Sequence, residues 1–176
     1  VEEEPHVNQN SRERVLGRIR QALVEAPLAS ELTRDYLATH TPDDPASILA
    51  LLHENLTDYR AIVHRATEAE LPALAAELLE RDGARTVAVP PGLPAAWLSA
   101  TTAKQRHDKD ASLTPHVLDT TDAVVTGCAL AIAETGTIIL DGGPGQGRRA
   151  LTLVPDVHIC IVLADQVVAS VPLALP

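Results

Sequence analysis

A carboxylate beside two hydroxyls and a glycine, Glu134, Thr135, Gly136 and Thr137, stands wedged between Ile132 and Ile138. A simple reverse turn does not need that combination, and a half-buried glutamate there would serve as acid, base or acyl acceptor. A plainer reading fits the same residues: Glu134 caps a backbone amide and the threonines bond to their own turn. Upstream, Gly127 closes the apolar run Ala123–Thr126. A glycine there turns the chain sharply, and the amides after it, at the start of a short helix, would face an anion. A turn requirement alone would also place a glycine at that point. Downstream lies Gly142, Gly143, Pro144, Gly145, Gln146, Gly147, Arg148, Arg149. It lacks the Lys and Ser/Thr of a phosphate-binding P-loop, Pro144 removes an amide, and its glycines do not fit the dinucleotide spacing. What remains is a lid or an extended surface turn ending on two guanidiniums suited to a carboxylate or phosphate. Arg149 is favoured because it leads into the next apolar segment.

His158 follows Pro155 and Asp156 and opens an apolar run containing Cys160. It reads either as a structural histidine or as one that swings toward the loops. Asp141 is a second carboxylate able to pair with Glu134. The candidate set is therefore Glu134 as the catalytic group, with Gly127, Thr135, Gly136, Thr137, Arg149 and His158 as ligand-binding residues. No metal site is expected, since His6, His40, His53, His64, His107 and His116 show no ligand spacing. Cys128 and Cys160 form no CxxC pair, and two buried, reduced thiols are the expected outcome.

These residues need elements to hold them. Asn10 and Ser11 are placed to cap an amphipathic helix carrying Val15, Leu16, Ile19 and Leu23 among Arg12, Arg14, Arg18 and Arg20, ended by Pro27. A linker signal at 41–45 precedes a helix from Pro45 to about Leu56. Tyr59–His64 reads as a short strand. Thr67–Arg81 reads as a helix with a capping box at Thr67 and Glu70 and a stop at Asp82 and Gly83. Thr86–Val89 is a buried strand, 90–94 a turn, Ala95–Ser99 a short helix and Thr101–Thr114 a surface loop. Then come a strand over Asp122–Thr126, a helical turn over Ala129–Ala133, and strands over Thr137–Leu140 and His158–Leu163. This alternation predicts an α/β fold around a mainly parallel sheet flanked by helices, with chemistry gathered in loops beyond strand ends. The domain plan is a helical arm and linker over 1–44 and a single α/β domain over 45–176.

Composition narrows the partners. A net charge of −10, from 24 acidic against 14 basic residues, disfavours wide contact with nucleic acid. With 2% aromatic residues and no Phe, platforms for stacking bases are absent too. No apolar run is long enough to span a bilayer, and the acidic, polar start does not read as a signal peptide. The expected location is the cytoplasm. Because the chain opens on Val1 rather than Met, it is expected to be trimmed or part of a longer product.

The run Gly127–Leu140 centred on Ala131–Thr137, followed by Arg149, Leu153, Pro155, His158 and Ile159, resembles the LUD domain, specifically the lactate utilization protein C family. That resemblance implies a fold like ribose-5-phosphate isomerase, glucosamine-6-phosphate deaminase and the CoA transferases. It implies a part in oxidising L-lactate to pyruvate alongside two iron–sulfur partners, lactate utilization proteins A and B. Iron–sulfur clusters are expected in those partners, and no cofactor is expected in this chain. A C-terminal part of the family pattern is absent. Three roles follow: a non-redox subunit that binds a small carboxylate or its partners, an enzyme using Glu134 on a phosphosugar or acyl-CoA, or a scaffold without substrate.

Overall fold

The computed structural model describes residues 7–24 and 44–174. The first stretch is helix α1 (Val7–Val24), which belongs to a separate unit and is considered by itself. It opens ahead of Asn10 and Ser11, so those residues lie within the helix rather than capping it. The expected stop at Pro27 and the linker signal at 41–43 lie outside the described residues.

From Asp44 onward the order is α2 (Pro45–Asp58), α3 (Leu71–Arg81), β1 (Thr86–Val89), β2 (Lys104–His107), α4 (Pro115–Asp119), β3 (Ala123–Thr126), β4 (Leu130–Ile132), β5 (Thr137–Ile139), α5 (Arg149–Leu153), β6 (Val157–Cys160) and β7 (Val167–Val168). Four strands form a parallel sheet in the order β2-β1-β3-β6. A smaller sheet, β5-β4-β7, joins an antiparallel hairpin to one parallel neighbour. The fold is α/β, as the alternation of elements predicts.

Side chains alternate across a strand, so a central parallel strand must present apolar residues to both faces. β3 meets that demand with all four residues buried. On one face Val87, Val89, Ala123 and Val125 pack with Ala75 and Leu79 of α3 and with Leu98 and Ile161. On the other, Ala88 and Val124 meet Leu113, Leu118 of α4 and Leu151 of α5. α2 covers the small sheet, Leu52 packing on Ala131 and Ala133, whose small side chains admit a close helix. Asp44 caps α2 by accepting from the Ser47 amide at 2.9 Å and hydroxyl at 2.7 Å, with Pro45 at the first helical position. Asp122 fastens the start of β3 to β1 by accepting from the amides of Arg85 and Thr86 and from the Thr86 hydroxyl. Among the described residues no helix is long and apolar enough to cross a membrane.

Several elements depart from the sequence reading. Ala129–Ala133 is not a helical turn but holds β4, because β5 and β7 supply ladder partners on both sides. The stretch Thr101–Thr114 is not wholly a loop. It contains β2, an edge strand whose polar sequence carries no apolar pattern to reveal it. Tyr59–His64 forms no strand. β6 stops at Cys160, short of Leu163. α3 begins at Leu71, although Glu70 does reach back to the Thr67 amide and hydroxyl, both at 2.8 Å. Ala95–Leu98 winds as a 3-10 turn.

Candidate functional site

In an open parallel sheet the crevice beyond the strand ends forms where neighbouring connections leave in opposite directions. Here that point lies between β1, whose chain continues to β2, and β3, on its other side. The crevice is filled by the protein's own glycine-rich loop. The Gly145 amide donates to the Pro91 carbonyl at 2.8 Å, and the Gly145 carbonyl accepts from the Gly127 amide at 2.9 Å. Gly92, at φ +83, leaves no room for a side chain, since a Cβ there would stand 2.9 Å from the Pro144 Cβ. The Gly127 amide is thus taken by the loop, while a Cβ at Gly127 would meet only ordinary contacts at 3.9 Å, so neither close packing nor a left-handed turn requires a glycine there. A strand follows it where a short helix was expected, which removes the helix dipole from the anion argument.

The same loop is tied down further along. Gln146, 5% exposed, accepts from the Asp141 amide through its side chain at 2.8 Å, and Asp141 accepts from the Gly143 amide. Asp141 therefore serves its own loop, with no contact to Glu134. The two arginines divide in a way sequence did not show. Arg148 pairs through Nε with Asp108 Oδ2 at 2.8 Å, and its Nη2 donates to the Leu113 carbonyl. Asp108 is only 3% exposed. Arg149 opens α5 exposed, its carbonyl accepting from the Thr152 hydroxyl and its side chain without a polar partner among the described residues.

Glu134, Thr135 and Gly136 form the turn of the β4–β5 hairpin, and Thr137 begins β5. α2 fixes this turn, because Asn55 Nδ2 donates to the carbonyls of Ala133 at 2.7 Å and Glu134 at 3.0 Å. Gly136, at φ +60, presses against the Asn55 backbone, and a Cβ there would meet it at 3.0 Å. The Thr135 and Thr137 hydroxyls bond each other at 2.8 Å. The Glu134 amide donates to the Ala169 carbonyl, while its half-buried side chain has no hydrogen-bond partner among the described residues. Ala129 and Ala133 both bond into the small sheet, and the four residue steps from one to the other span about 13 Å of strand. Glu134 thus stands at the far end of β4 from Gly127. The candidates fall into a Glu134–Thr137 turn, a Gly127–His158 group and a solitary Arg149.

The Gly127–His158 group holds residues the sequence did not single out. Thr126, fully buried, shares a 2.8 Å hydrogen bond with His158 Nε2. Partial desolvation lowers the His158 pKa, although the residue keeps an exposed side. The Cys160 thiol points at the Gly127 carbonyl at 3.7 Å. Cys128 donates to Gln166 Oε1 at 3.5 Å, and Gln166 Nε2 donates back to the Cys128 carbonyl at 2.9 Å. Both cysteines are free; Cys128 is buried as expected, whereas Cys160 is only half-buried. The Cys160 side chain and burial push the Cys128 thiol far up, whereas hydrogen bonding from Cys128 lowers Cys160. His158 and Cys160 line an open cleft of about 1340 Å3 that also takes in His53 and Trp97. Among the described residues no three His, Cys, Asp or Glu side chains gather to hold a metal ion. Neither Asn55 nor Asp108 carries a local sequence signal, since each acts on a segment remote in the chain.

Comparison with known proteins places this geometry. Residues 49–176 match the LUD domain. Over 157 residues the chain is 42% identical to lactate utilization protein C of Deinococcus radiodurans, covering 89% of this chain and 67% of that protein. A crystal structure of a DUF162 family protein from Deinococcus radiodurans superposes with a TM-score of 0.69 at 47% identity, covering 74% of this chain and 77% of that one. The chain belongs to the LUD domain family and, within it, to the lactate utilization protein C group.

Proposed function

We propose that this chain is the C component of a cytoplasmic lactate utilization system and supports oxidation of L-lactate to pyruvate without itself carrying electrons. The observation that carries this reading is the 42% identity, over 89% of the chain, to a protein named lactate utilization protein C. Oxidation of lactate needs a redox cofactor, and the reading assigns that chemistry to the clusters of iron–sulfur proteins A and B. The contribution of this chain is to hold a small carboxylate or to seat those partners. Arg149 suits the first task, because an unpaired, exposed guanidinium offers a carboxylate two parallel donors. The Glu134–Thr137 turn suits the second, being held by Asn55 while Thr135 and Thr137 are exposed.

The half-buried, unpartnered Glu134 carboxylate favours a second reading. In a fold of the ribose-5-phosphate isomerase and CoA-transferase type, which the α/β architecture supports, Glu134 would act as acid, base or acyl acceptor on a phosphosugar or acyl-CoA.

Reconstitution separates the two. The chain is combined with proteins A and B, and lactate oxidation and co-purification are measured for the parent, Glu134→Gln and Arg149→Ala. Loss of lactate oxidation in either variant with partner binding intact supports a working site in this chain. Unchanged oxidation in both variants removes these residues from the reaction. Absence of any association with the partners overturns the subunit reading. Turnover of a phosphosugar or acyl-CoA by the isolated chain, abolished in Glu134→Gln, establishes the second.

A further inference from the structure

Cys128 and Cys160 lie far apart in sequence, yet strand pairing makes them neighbours. β3 and β6 run parallel with Thr126 opposite Cys160, and the Ile161 amide donates to the Thr126 carbonyl at 2.8 Å, which holds that register to the end of the strand. The Cys160 sulfur stands 3.7 Å from the Gly127 carbonyl oxygen. That carbonyl belongs to the peptide group leading into Cys128, so the Cys160 sulfur sits within about 6.5 Å of the Cys128 Cα. Gln166 clamps Cys128, accepting from its thiol and donating to its carbonyl. The two thiols are thus brought to one place in the fold, Cys160 on β6 and Cys128 in the short connection between β3 and β4. Cys160 is half-buried on the open cleft, whereas Cys128 is 5% exposed behind it.

We propose that Cys128 and Cys160 form a redox-modification site: a thiol pair that converts reversibly to a disulfide under low-molecular-weight disulfides, with Cys160 attacking first and Cys128 resolving. The ionisation order agrees with the positions. Hydrogen bonding from Cys128 and from Thr126 favours the Cys160 thiolate against the cost of burial, while Cys160 and burial keep Cys128 protonated. The thiolate is the nucleophile in such exchange.

The steps balance with glutathione disulfide as oxidant. The Cys160 thiolate attacks one sulfur of glutathione disulfide, forming a mixed disulfide and expelling one glutathione thiolate. The Cys128 thiol gives its proton to that thiolate and attacks the Cys160 sulfur. The protein disulfide forms, the mixed bond breaks, and a second glutathione thiolate leaves. Two protein thiols are oxidised by two electrons, and glutathione disulfide is reduced to two glutathione molecules. The product fastens the connection from β3 to β4, where the chain passes from the parallel sheet into the small one, to the end of β6.

Trypsin makes the test direct, because Arg148 and Arg149 separate the two cysteines onto different peptides. The purified full chain is equilibrated in glutathione buffers of increasing oxidising strength, alkylated and digested without reduction. The expected product is one cross-linked pair of peptides lighter than the free pair by two hydrogens, lost when excess glutathione is restored. In the reduced protein Cys160 is expected to alkylate faster than Cys128 by roughly tenfold or more. Cys128→Ser, checked for its fold by circular dichroism, is expected to trap glutathione on Cys160. Two freely alkylated thiols in the oxidised parent protein, with no linked peptide, overturn the proposal. Equal alkylation rates at both cysteines overturn the assigned order of attack.

Discussion

Replacing Arg148 by alanine removes the cation that Asp108 faces while leaving that carboxylate 3% exposed. The pair is geometrically good, with Nε to Oδ2 at 2.8 Å and Nη2 to Oδ1 at 3.4 Å. Asp108 retains one compensating bond, accepting from the Leu113 amide at 2.8 Å. Breaking one side of a fully buried pair costs about 3–5 kcal/mol. Arg148 is 32% exposed, so solvent already screens part of the interaction and water can partly replace the guanidinium. The expected loss is therefore about 2 kcal/mol. At about 2 kcal/mol per molar for a domain of this size, the urea midpoint falls by about 1 M with unchanged slope. Arg149→Ala, one residue on, removes a side chain without polar partners and shifts stability by less than about 0.5 kcal/mol. Urea denaturation followed by far-ultraviolet circular dichroism measures both. Equal midpoints for the two variants, or a larger loss at Arg149, would refute the division of labour drawn between these neighbours.

Asn55→Ala strips two donors from the hairpin turn, and a loss of about 2 kcal/mol is expected by thermal or chemical denaturation; an unchanged midpoint would mean that the turn holds itself. Asp122 accepts from the Thr86 hydroxyl and from the amides of Thr86 and Arg85, which together lower its pKa below its ordinary 3.8 despite some burial. The folded state thus binds this proton less readily than the unfolded chain, so the stabilisation is present above pH 3.8 and lost as pH falls through the lower folded value. Asp122→Asn should flatten the acid limb of the stability profile in that window, and a parent-like slope in the variant would assign the acid dependence to other groups.

Where pattern and burial coincide, the chain can be read directly. Thr86–Val89 and Ala123–Thr126 are short, apolar and β-branched, and both are interior strands of the parallel sheet. Helix spacing finds α2 and α3 because each presents one apolar face. The failures share a cause: the deciding partner lies elsewhere in the chain. Ala129–Ala133 is apolar throughout, with no apolar–polar alternation and Ile132 as its one strong strand former, and it is extended because β5 and β7 flank it. Lys104–His107 is an edge strand with polar side chains. At the site, Glu134, Thr135 and Gly136 were visible as an unusual turn, but the clamp on it comes from Asn55, 78 residues before Ala133. Choosing between Arg148 and Arg149 required the position of Asp108, 40 residues away from Arg148. The proximity of the two thiols required the β3–β6 register.

β6 lies at the margin of the parallel sheet, and its backbone amides face two ways. Those of Val157 and Ile161 donate inward to Asp122 and Thr126. Strand alternation turns those of His158 and Cys160 toward the opposite side, where the sheet has no further strand among the described residues. Deuterium uptake along this strand should therefore rise and fall residue by residue, slow at 157 and 161 and fast at 158 and 160. That pattern makes the strand a built-in reporter, because a segment pairing along this margin would slow the two fast positions and leave the slow ones nearly unchanged.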